Sequence, residues 1–210
     1  ILRGTSAMPV PPELLVGLES SDDAAVYRLN DEQALVATTD FFMPIVDDPF
    51  VFGRIAAANA LSDVYAMGGT PVLALSLVGM PIKVLSTHTI GRILEGGTRV
   101  CADAGVPVAG GHTIDSVEPI YGLVAMGIVH PAQLRKNSAA RAAFKMEKLP
   151  ADGYGALMDW TTQLNVAGPR LAALPGVHAM TDVTGFALAG HTLEMARSAG
   201  LTAQLHWPDV

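Results

Sequence analysis

Acidic side chains stand at the ends of apolar segments in this 210-residue chain, where an ionised carboxylate is costly. Asp22 and Asp23 directly precede the apolar segment AAVYRL, and Asp40 closes the segment ALVATTD. Asp182 lies where a predicted strand gives way to a predicted helix. Carboxylates in such positions are candidates for a shared cation site, because ionised groups in apolar surroundings need a compensating charge.

A predicted helix adds two polar side chains to this set. Its apolar residues recur every three or four positions, and Asn59 and Asp63 fall on that apolar stripe. Two carboxylates about 4 Å apart repel by roughly 4 kcal/mol at an effective dielectric constant of about 20, so several can converge only around a cation or when some are protonated. Mg²⁺ is usually held by a few carboxylates together with phosphate oxygens and water. The group therefore indicates a Mg²⁺ site, although any one of these aspartates alone more often caps a helix or a turn.

A glycine pair follows a short predicted strand, 106–109, in the sequence Ala109-Gly110-Gly111-His112-Thr113. Glycines at a strand end let backbone amides approach an anion closely, and the hydroxyl of Thr113 adds a donor. Alone, the pattern is a weak signal for a phosphate site, since a glycine turn without ligand and a hydrogen-bonded loop histidine are more common.

Three other reactive side chains have simpler interpretations. Cys101, the single cysteine, lies in a helical segment with no histidine close in sequence, which predicts buried packing. His191 and Glu194, three residues apart on the last predicted helix, could share a metal, but the pattern favours a solvated helix face. One cysteine allows no internal disulfide and no Cys-based zinc site, which favours a reducing compartment, and we expect the cytoplasm.

Composition excludes several classes of function. Thirteen Lys and Arg against twenty Asp and Glu give a net charge of −7, without a basic run that could follow a phosphate backbone, so we expect no nucleic-acid partner. The longest apolar stretch, 71–82, is about half of the roughly 20 residues that span a bilayer, and no signal peptide opens the sequence. We therefore expect a soluble globular protein that does not enter membranes.

Hydrophobic periodicity predicts an α/β layer over residues 20 to about 130. Its predicted strands are 24–29, 34–39, 72–78, 106–109 and 121–129, and its predicted helices are 50–67 and 87–104. Ser86 is a plausible N-cap for the second helix. The order of these elements predicts a sheet with mixed strand directions.

The remaining residues predict a smaller and incomplete second part. Helical patterns cover 155–174 and 184–199, a short strand is predicted at 177–180, and 135–148 shows only weak signals of either kind. Two helices and one short strand leave apolar faces with little to pack against, because a sheet layer needs several strands to bury a core.

Long segments of the sequence, 38–71, 109–129 and 173–200, resemble the selenophosphate synthetases, also called selenide, water dikinases. The likeness is specific, because the related thiamine-monophosphate kinases and aminoimidazole ribonucleotide synthetases resemble the DDAAV and NALSD segments but not FFMPIVDDPF. The resemblance implies an aminoimidazole ribonucleotide synthetase-like fold with two domains. An N-terminal α/β domain, 1–134, would pair its mixed sheet with that of a twin into a dimeric barrel, and an α+β domain, 135–210, would follow, incomplete in this chain.

The resemblance also implies an activity and a set of site residues. The family converts ATP, selenide and water into selenophosphate, AMP and phosphate, with Mg²⁺ ions holding the triphosphate. The positions that match the family's metal ligands are Asp23, Asp63 and Asp182. The positions that match its nucleotide contacts are Ser20, Ser21, Asp22, Asp40 and Asp63, together with Gly111, His112 and Thr113, which the family contributes across a homodimer interface.

The family's catalytic Cys or selenocysteine and its Lys lie in a Gly-rich segment upstream of the matched region. This sequence begins at Ile1 and shows neither, so we expect both residues upstream of Ile1 in a longer protein, and we expect the second domain to continue past Val210. Two alternatives stay open. One is a related ATP-dependent small-molecule kinase, which would release ADP, and the other is a non-catalytic nucleotide-binding paralogue.

Overall fold

The computed structural model describes residues 9–17, 22–135, 159, 161–184 and 187–206. A six-stranded sheet has the order β1-β2-β3-β6-β4-β5. Its strands are β1 (Leu14–Val16), β2 (Ala25–Arg28), β3 (Ala34–Phe42), β4 (Thr70–Met80), β5 (Val108–Asp115) and β6 (Ile120–Val129). Only the β4–β5 pair is parallel, while the other neighbours are antiparallel. The mixed sheet expected from the sequence is therefore confirmed.

One long helix, α1 (Pro49–Ala66), packs on this sheet, and a second, α2 (Thr87–Asp103), packs mainly against α1. Helix α1 begins where the Asp48 carboxylate accepts hydrogen bonds from the backbone N–H groups of Phe50 and Val51, with Pro49 in its first turn. It ends before Gly68, whose φ of 78° favours glycine. Helix α2 is capped by Ser86, as predicted, because the Ser86 hydroxyl accepts from the Thr89 N–H at 3.1 Å.

The two helices cross with their backbones in close contact. A Cβ atom on Gly53 would lie 1.9 Å from the Ile93 carbonyl oxygen, and one on Gly96 would lie 2.0 Å from the Phe50 carbonyl oxygen. No side chain fits at either position, so the two glycines permit a crossing that fixes α1 between α2 and the sheet.

The hydrophobic core lies between the sheet and these helices, and its buried members fall within residues 16–129. Phe42, Phe52 and Tyr121 form a run of edge-to-face aromatic contacts through its centre, with ring centroids 5.9 and 6.3 Å apart. Cys101 is fully buried, as predicted, and burial raises the pKa of its thiol to about 11.

The second part of the chain contributes α3 (Gly168–Ala172) and α4 (Ala187–Ala199) to the described residues. Helix α3 docks against the end of α1, where the Arg135 guanidinium donates to the Ala172 carbonyl and the Arg135 backbone N–H donates to the Met67 carbonyl at 3.2 Å. The Asn165 amide donates to the Ser62 hydroxyl at 2.6 Å. These bonds join the second part to α1.

Several element predictions need correction. Strand β1 was not predicted, and the predicted strand 106–109 is instead the start of β5, which continues through the glycine pair. Residues 155–158 and 160 of the predicted helix 155–174 lie outside the described residues, and its described part is broken, because 163–165 are irregular and the short α3 starts only at Gly168. Within the described chain, residues 177–180 form no strand, since no neighbouring strand pairs with them there. The weakly patterned run 135–148 lies, beyond Arg135, outside the described residues.

Among the residues that the structure covers, no helix is both long and apolar enough to cross a bilayer.

Candidate metal and nucleotide site

The acidic residues meet where β3 faces helix α1. The Thr38 hydroxyl donates to Asp63 Oδ2 at 2.5 Å, and the Asn59 amide donates to Asp40 Oδ2. Thr38 and Asp40 are about 6.6 Å apart along the strand, and Asn59 and Asp63 are about 6 Å apart along the helix. The two hydrogen bonds can therefore form side by side. The alternation of β3 and the turn of α1 therefore bring Asp40 and Asp63 to one face, each with its own hydrogen-bond donor.

The Asp63 carboxylate is electrostatically strained. Burial raises its pKa well above the usual value, the bond from Thr38 opposes that rise, and the charges of Asp182, Asp40 and Asp23 raise the pKa further. Asp182, Asp40 and Asp23 therefore each lie within electrostatic reach of Asp63. Asp63 is thus the centre of the acidic cluster Asp23, Asp40, Asp63 and Asp182.

Asp182 reaches this cluster from the second part of the chain. It is 7% exposed, and burial raises the pKa of its carboxyl, while a bond from Ser62 and the charge of His191 act in the opposite direction. Its Oδ2 atom is buried and has no hydrogen-bond partner in the part of the chain that the structure describes. A buried carboxylate oxygen without a donor is suited to bind a cation.

The cluster fits a cation that a ligand helps to hold. Its donors are all oxygens, which suits a hard ion such as Mg²⁺. Within the described ranges, however, no three His, Cys, Asp or Glu side chains are arranged so that they alone could hold one metal ion. Mg²⁺ is commonly bound by one or two carboxylates while phosphate oxygens and water complete its shell. Among the described residues, carboxylates alone therefore do not complete the coordination shell of a metal ion.

The glycine pair lies elsewhere, inside the edge strand β5. Gly110 and Gly111 have φ values of 149° and 153°, and a Cβ on Gly111 would lie 2.0 Å from the Ser76 carbonyl oxygen. The prediction that the glycines follow the end of a strand is therefore wrong, because Gly111 pairs with Ser76 of β4 inside the sheet. Gly111, His112 and Thr113 are exposed. Since β6 and β4 separate β5 from β3, about 14 Å of sheet divide these residues from Asp40.

Models of one protein family cover both parts of the chain. The model described as "AIR synthase related protein, N-terminal domain" matches residues 21–129, and "AIR synthase related protein, C-terminal domain" matches 138–210. The chain belongs to the AIR synthase related family. The aminoimidazole ribonucleotide synthetase-like fold expected from the sequence is thereby confirmed.

Curated relatives within the AIR synthase related family carry the name expected from the resemblance. The chain is 64% identical to "Selenide, water dikinase" of Burkholderia pseudomallei (strain K96243), in an alignment of 224 positions that covers 99% of this chain and 63% of that protein. It is 59% identical to "Selenide, water dikinase" of Dechloromonas aromatica (strain RCB), in an alignment of 227 positions that covers 100% of this chain and 65% of that protein. The resemblance is confirmed, and the chain spans less than two thirds of the length of these relatives.

Several solved structures share the fold of this chain. "AaThiL complexed with AMPPCP and TMP" superposes with a TM-score of 0.70 at 19% identity, covering 87% of this chain and 66% of that one. "Crystal structure of Thiamine-monophosphate kinase from Stenotrophomonas maltophilia K279a" gives 0.64 at 22% identity, covering 90% and 67%. "T. maritima PurL complexed with ATP" gives 0.66 at 18% identity, covering 89% and 33%.

The structure places most of the predicted site residues. It brings Asp23, Asp40, Asp63 and Asp182 together and leaves Asp22 half-buried beside Asp23, at the start of β2. It does not bring Gly111, His112 and Thr113 to them within one chain. Ser20 and Ser21 lie outside the described residues.

Sequence reasoning missed the residues that support the acidic cluster. Thr38 could have been found, because it stands two residues from Asp40 on the same face of a strand. Ser62 carried no signal. The prediction of a solvated face for His191 and Glu194 is wrong, since both side chains are buried, with His191 Nδ1 3.6 Å from Glu194 Oε2.

Proposed function

We propose that this chain belongs to an enzyme that forms selenophosphate from ATP, selenide and water and releases AMP and phosphate. The observation that carries the proposal is the 54–66% identity, over nearly the whole chain, to proteins named "Selenide, water dikinase". The related kinase and the non-catalytic paralogue are alternatives that no observation favours. A single cysteine without a disulfide partner fits a reducing compartment, and we place the enzyme in the cytoplasm.

Asp23, Asp63 and Asp182 would hold Mg²⁺ in this enzyme. The raised pKa of Asp63 supports the assignment, because a cation would favour the ionised carboxylate that burial disfavours. The open Oδ2 of Asp182 supports it as well. Bound Mg²⁺ would neutralise phosphate charge during phosphoryl transfer. Thr38 keeps Asp63 oriented toward the site by its hydrogen bond.

Residues around the metal ligands would bind the nucleotide. Asp40, oriented by Asn59, is assigned to ATP together with Ser20, Ser21, Asp22 and Asp63. In phosphoryl transfer most of the rate comes from positioning and electrostatic stabilisation, so fixed side-chain orientations are the main contribution of such a cluster.

The exposed residues Gly111, His112 and Thr113 would act on ATP bound to a second copy of the chain. Their distance from the acidic cluster within one chain and their place on an open sheet edge support this arrangement. A homodimer that joins edge strand β5 to the partner's cluster would complete two equivalent sites.

Selenide activation requires a nucleophile other than Cys101. That thiol is buried and its pKa is raised to about 11, so it is neither accessible nor ionised at neutral pH. We assign selenide activation to a Cys or selenocysteine and a Lys upstream of Ile1.

Anaerobic phosphorus NMR of the full-length protein with ATP, Mg²⁺ and selenide tests the proposal. We expect selenophosphate, AMP and phosphate to appear together, and no selenophosphate in a control without selenide. ADP as the only nucleotide product would favour the small-molecule kinase, and unchanged ATP despite measurable binding would favour the non-catalytic paralogue.

A further inference from the structure

A buried histidine and glutamate lie directly behind the Asp182 segment. His191 and Glu194 are 4% and 9% exposed and stand three residues apart on α4, on one face of the helix. The Nδ1 atom of His191 lies 3.6 Å from Glu194 Oε2. Buried polar side chains usually have hydrogen-bond partners and fix the positions of those partners. The contacts of His191 therefore show which segment this pair holds in place.

The second ring nitrogen of His191 reaches the segment before the helix. The backbone N–H of Thr184 donates to His191 Nε2 at 3.2 Å, and Thr184 Oγ1 lies 3.5 Å from the same atom. A neutral His191 that accepts the backbone bond at Nε2 carries its ring proton on Nδ1, on the side of Glu194. Glu194 therefore favours the tautomer of His191 that can accept from Thr184.

Thr184 follows Asp182 by only two residues, so the bond to His191 fixes the backbone that carries the Asp182 carboxylate. Asp182 is buried, and within the described residues no donor restrains its Oδ2 atom. The position of that oxygen therefore depends on how the backbone of Asp182 is held. Asp182 receives a side-chain bond from Ser62, as Asp63 and Asp40 do from Thr38 and Asn59, but that bond leaves its Oδ2 atom without a donor among the described residues.

We infer that His191, oriented by Glu194, is a positioning residue that holds the Thr184 backbone and thereby aims the Asp182 carboxylate at the cation. The inference rests on the proposed function, because it takes Asp182 as a metal ligand. Neither His191 nor Glu194 needs to touch the ion. Outer partners of this kind typically change metal affinity by roughly 10–100-fold when they are removed.

Two amide substitutions at residue 191 test this role. In His191→Gln the side-chain oxygen comes near the position of Nε2 and can still accept from Thr184, whereas the side chain in His191→Asn is one methylene too short. The probe is Mn²⁺ in the presence of AMPPCP, with free Mn²⁺ measured by electron paramagnetic resonance on the full-length protein. We expect His191→Asn to weaken Mn²⁺ binding roughly 10-fold and His191→Gln to stay within about threefold of the wild type.

The controls separate this inference from the proposed function. Arg197→Gln, at an exposed position on the same helix, should bind Mn²⁺ like the wild type. If Asp182→Asn binds Mn²⁺ normally, the metal role of Asp182 fails. If Asp182→Asn weakens binding but His191→Asn does not, the positioning role alone is overturned.

Thermal denaturation of each variant shows whether it folds. If His191→Asn does not fold, Glu194→Leu takes its place, because it removes the acceptor that favours the Nδ1–H tautomer, and we expect it to weaken Mn²⁺ binding as well. Equal losses in the Asn and Gln variants, or a folded Glu194→Leu variant with normal binding, would contradict the inference.

Discussion

The acidic cluster and strand β5, which contains the glycine pair, differ in charge and in exposure. The cluster gathers charges that repel one another, and it restrains them with donors such as Thr38 and Asn59 between α1 and β3. Strand β5 carries no such charge cluster, and its residues Gly111–Thr113 are exposed at the sheet edge, shaped by backbone torsions that favour glycine. The contrast teaches that one half of the proposed site is enclosed within a chain, while the other half is presented outward.

This difference has a thermodynamic counterpart. In the cluster, burial and neighbouring charges act against the ionised form of Asp63, so the folded state is less stable when that carboxyl is charged. In β5, the close approach of Gly111 to Ser76 is compatible with the fold only because a side chain is absent. Substitutions in the two regions should therefore have opposite effects on stability.

The largest expected effect is on turnover in Asp63→Asn. The amide keeps the shape of the carboxylate but removes its charge, so ATP consumption by the full-length enzyme should fall by at least about 100-fold. Asp47→Asn, at an exposed aspartate just before α1, is the matched control and should leave turnover unchanged. Near-normal ATP consumption by Asp63→Asn would remove the central residue from the proposed site.

Gly111→Ala should destabilise the fold by about 1–3 kcal/mol, because the new methyl group meets the Ser76 carbonyl oxygen and the φ of 153° disfavours alanine. Gly91→Ala is the opposite case, since it lies on α2 with nothing within 4 Å of an added Cβ, and it should stabilise by about 0.4–1 kcal/mol. Urea unfolding of both variants measures the difference. A tolerated Gly111→Ala would mean that β4 and β5 can separate freely.

Mixing two inactive variants tests whether the acidic cluster of one chain and strand β5 of a second chain form one site. A dimer of one Asp63→Asn chain and one His112→Ala chain has one site with both defects and one site with neither. With random exchange, such mixtures should recover about a quarter of wild-type ATP turnover. Recovery requires that each variant alone be impaired, and a mixture no better than its components would place both halves of the site within one chain.

The smallest expected effect is a gain in stability for Asp63→Asn without divalent ions. The folded-state pKa of Asp63 is raised, so as the pH rises above about 4 the unfolded state loses its proton first and the wild type loses stability. Asparagine has no such proton. The variant's advantage in melting temperature should therefore grow between pH 4 and pH 8, by about 2–4 °C for each kcal/mol. If the advantage of the variant in melting temperature stayed constant or shrank as the pH rose, the raised pKa of Asp63 would be contradicted.

The sequence was most informative where local signals agree. Pro49 and Gly68 mark the ends of α1, and the placement of Asn59 and Asp63 on its apolar stripe predicts that both face the sheet. Aspartates at strand ends predicted a common cation site, and the structure brings the predicted ligands into electrostatic reach. These features depend on neighbours within a few residues, which a single sequence displays.

The rest depends on partners far away in the chain. The burial of His191 cannot be inferred from α4 alone, because its face is covered by segments that the helical pattern does not specify. A glycine pair usually indicates the end of a strand, whereas here Gly111 allows β5 to approach β4. The bond between Asn165, just before α3, and Ser62 of α1 joins residues 103 positions apart, which no local pattern displays.

Adjacent residues of α1 have partners that are synthesised at different times. Asp63 meets Thr38, which is already present when α1 emerges, whereas Ser62 receives Asn165 from 103 residues later in the chain. The core within residues 16–129 can condense before Asp182 is translated, and at about 5–20 residues per second the delay is several seconds. We therefore expect the acidic site to be the last part of this region to mature on the ribosome, so that a nascent chain holds its early carboxylates without the full capacity to retain an ion.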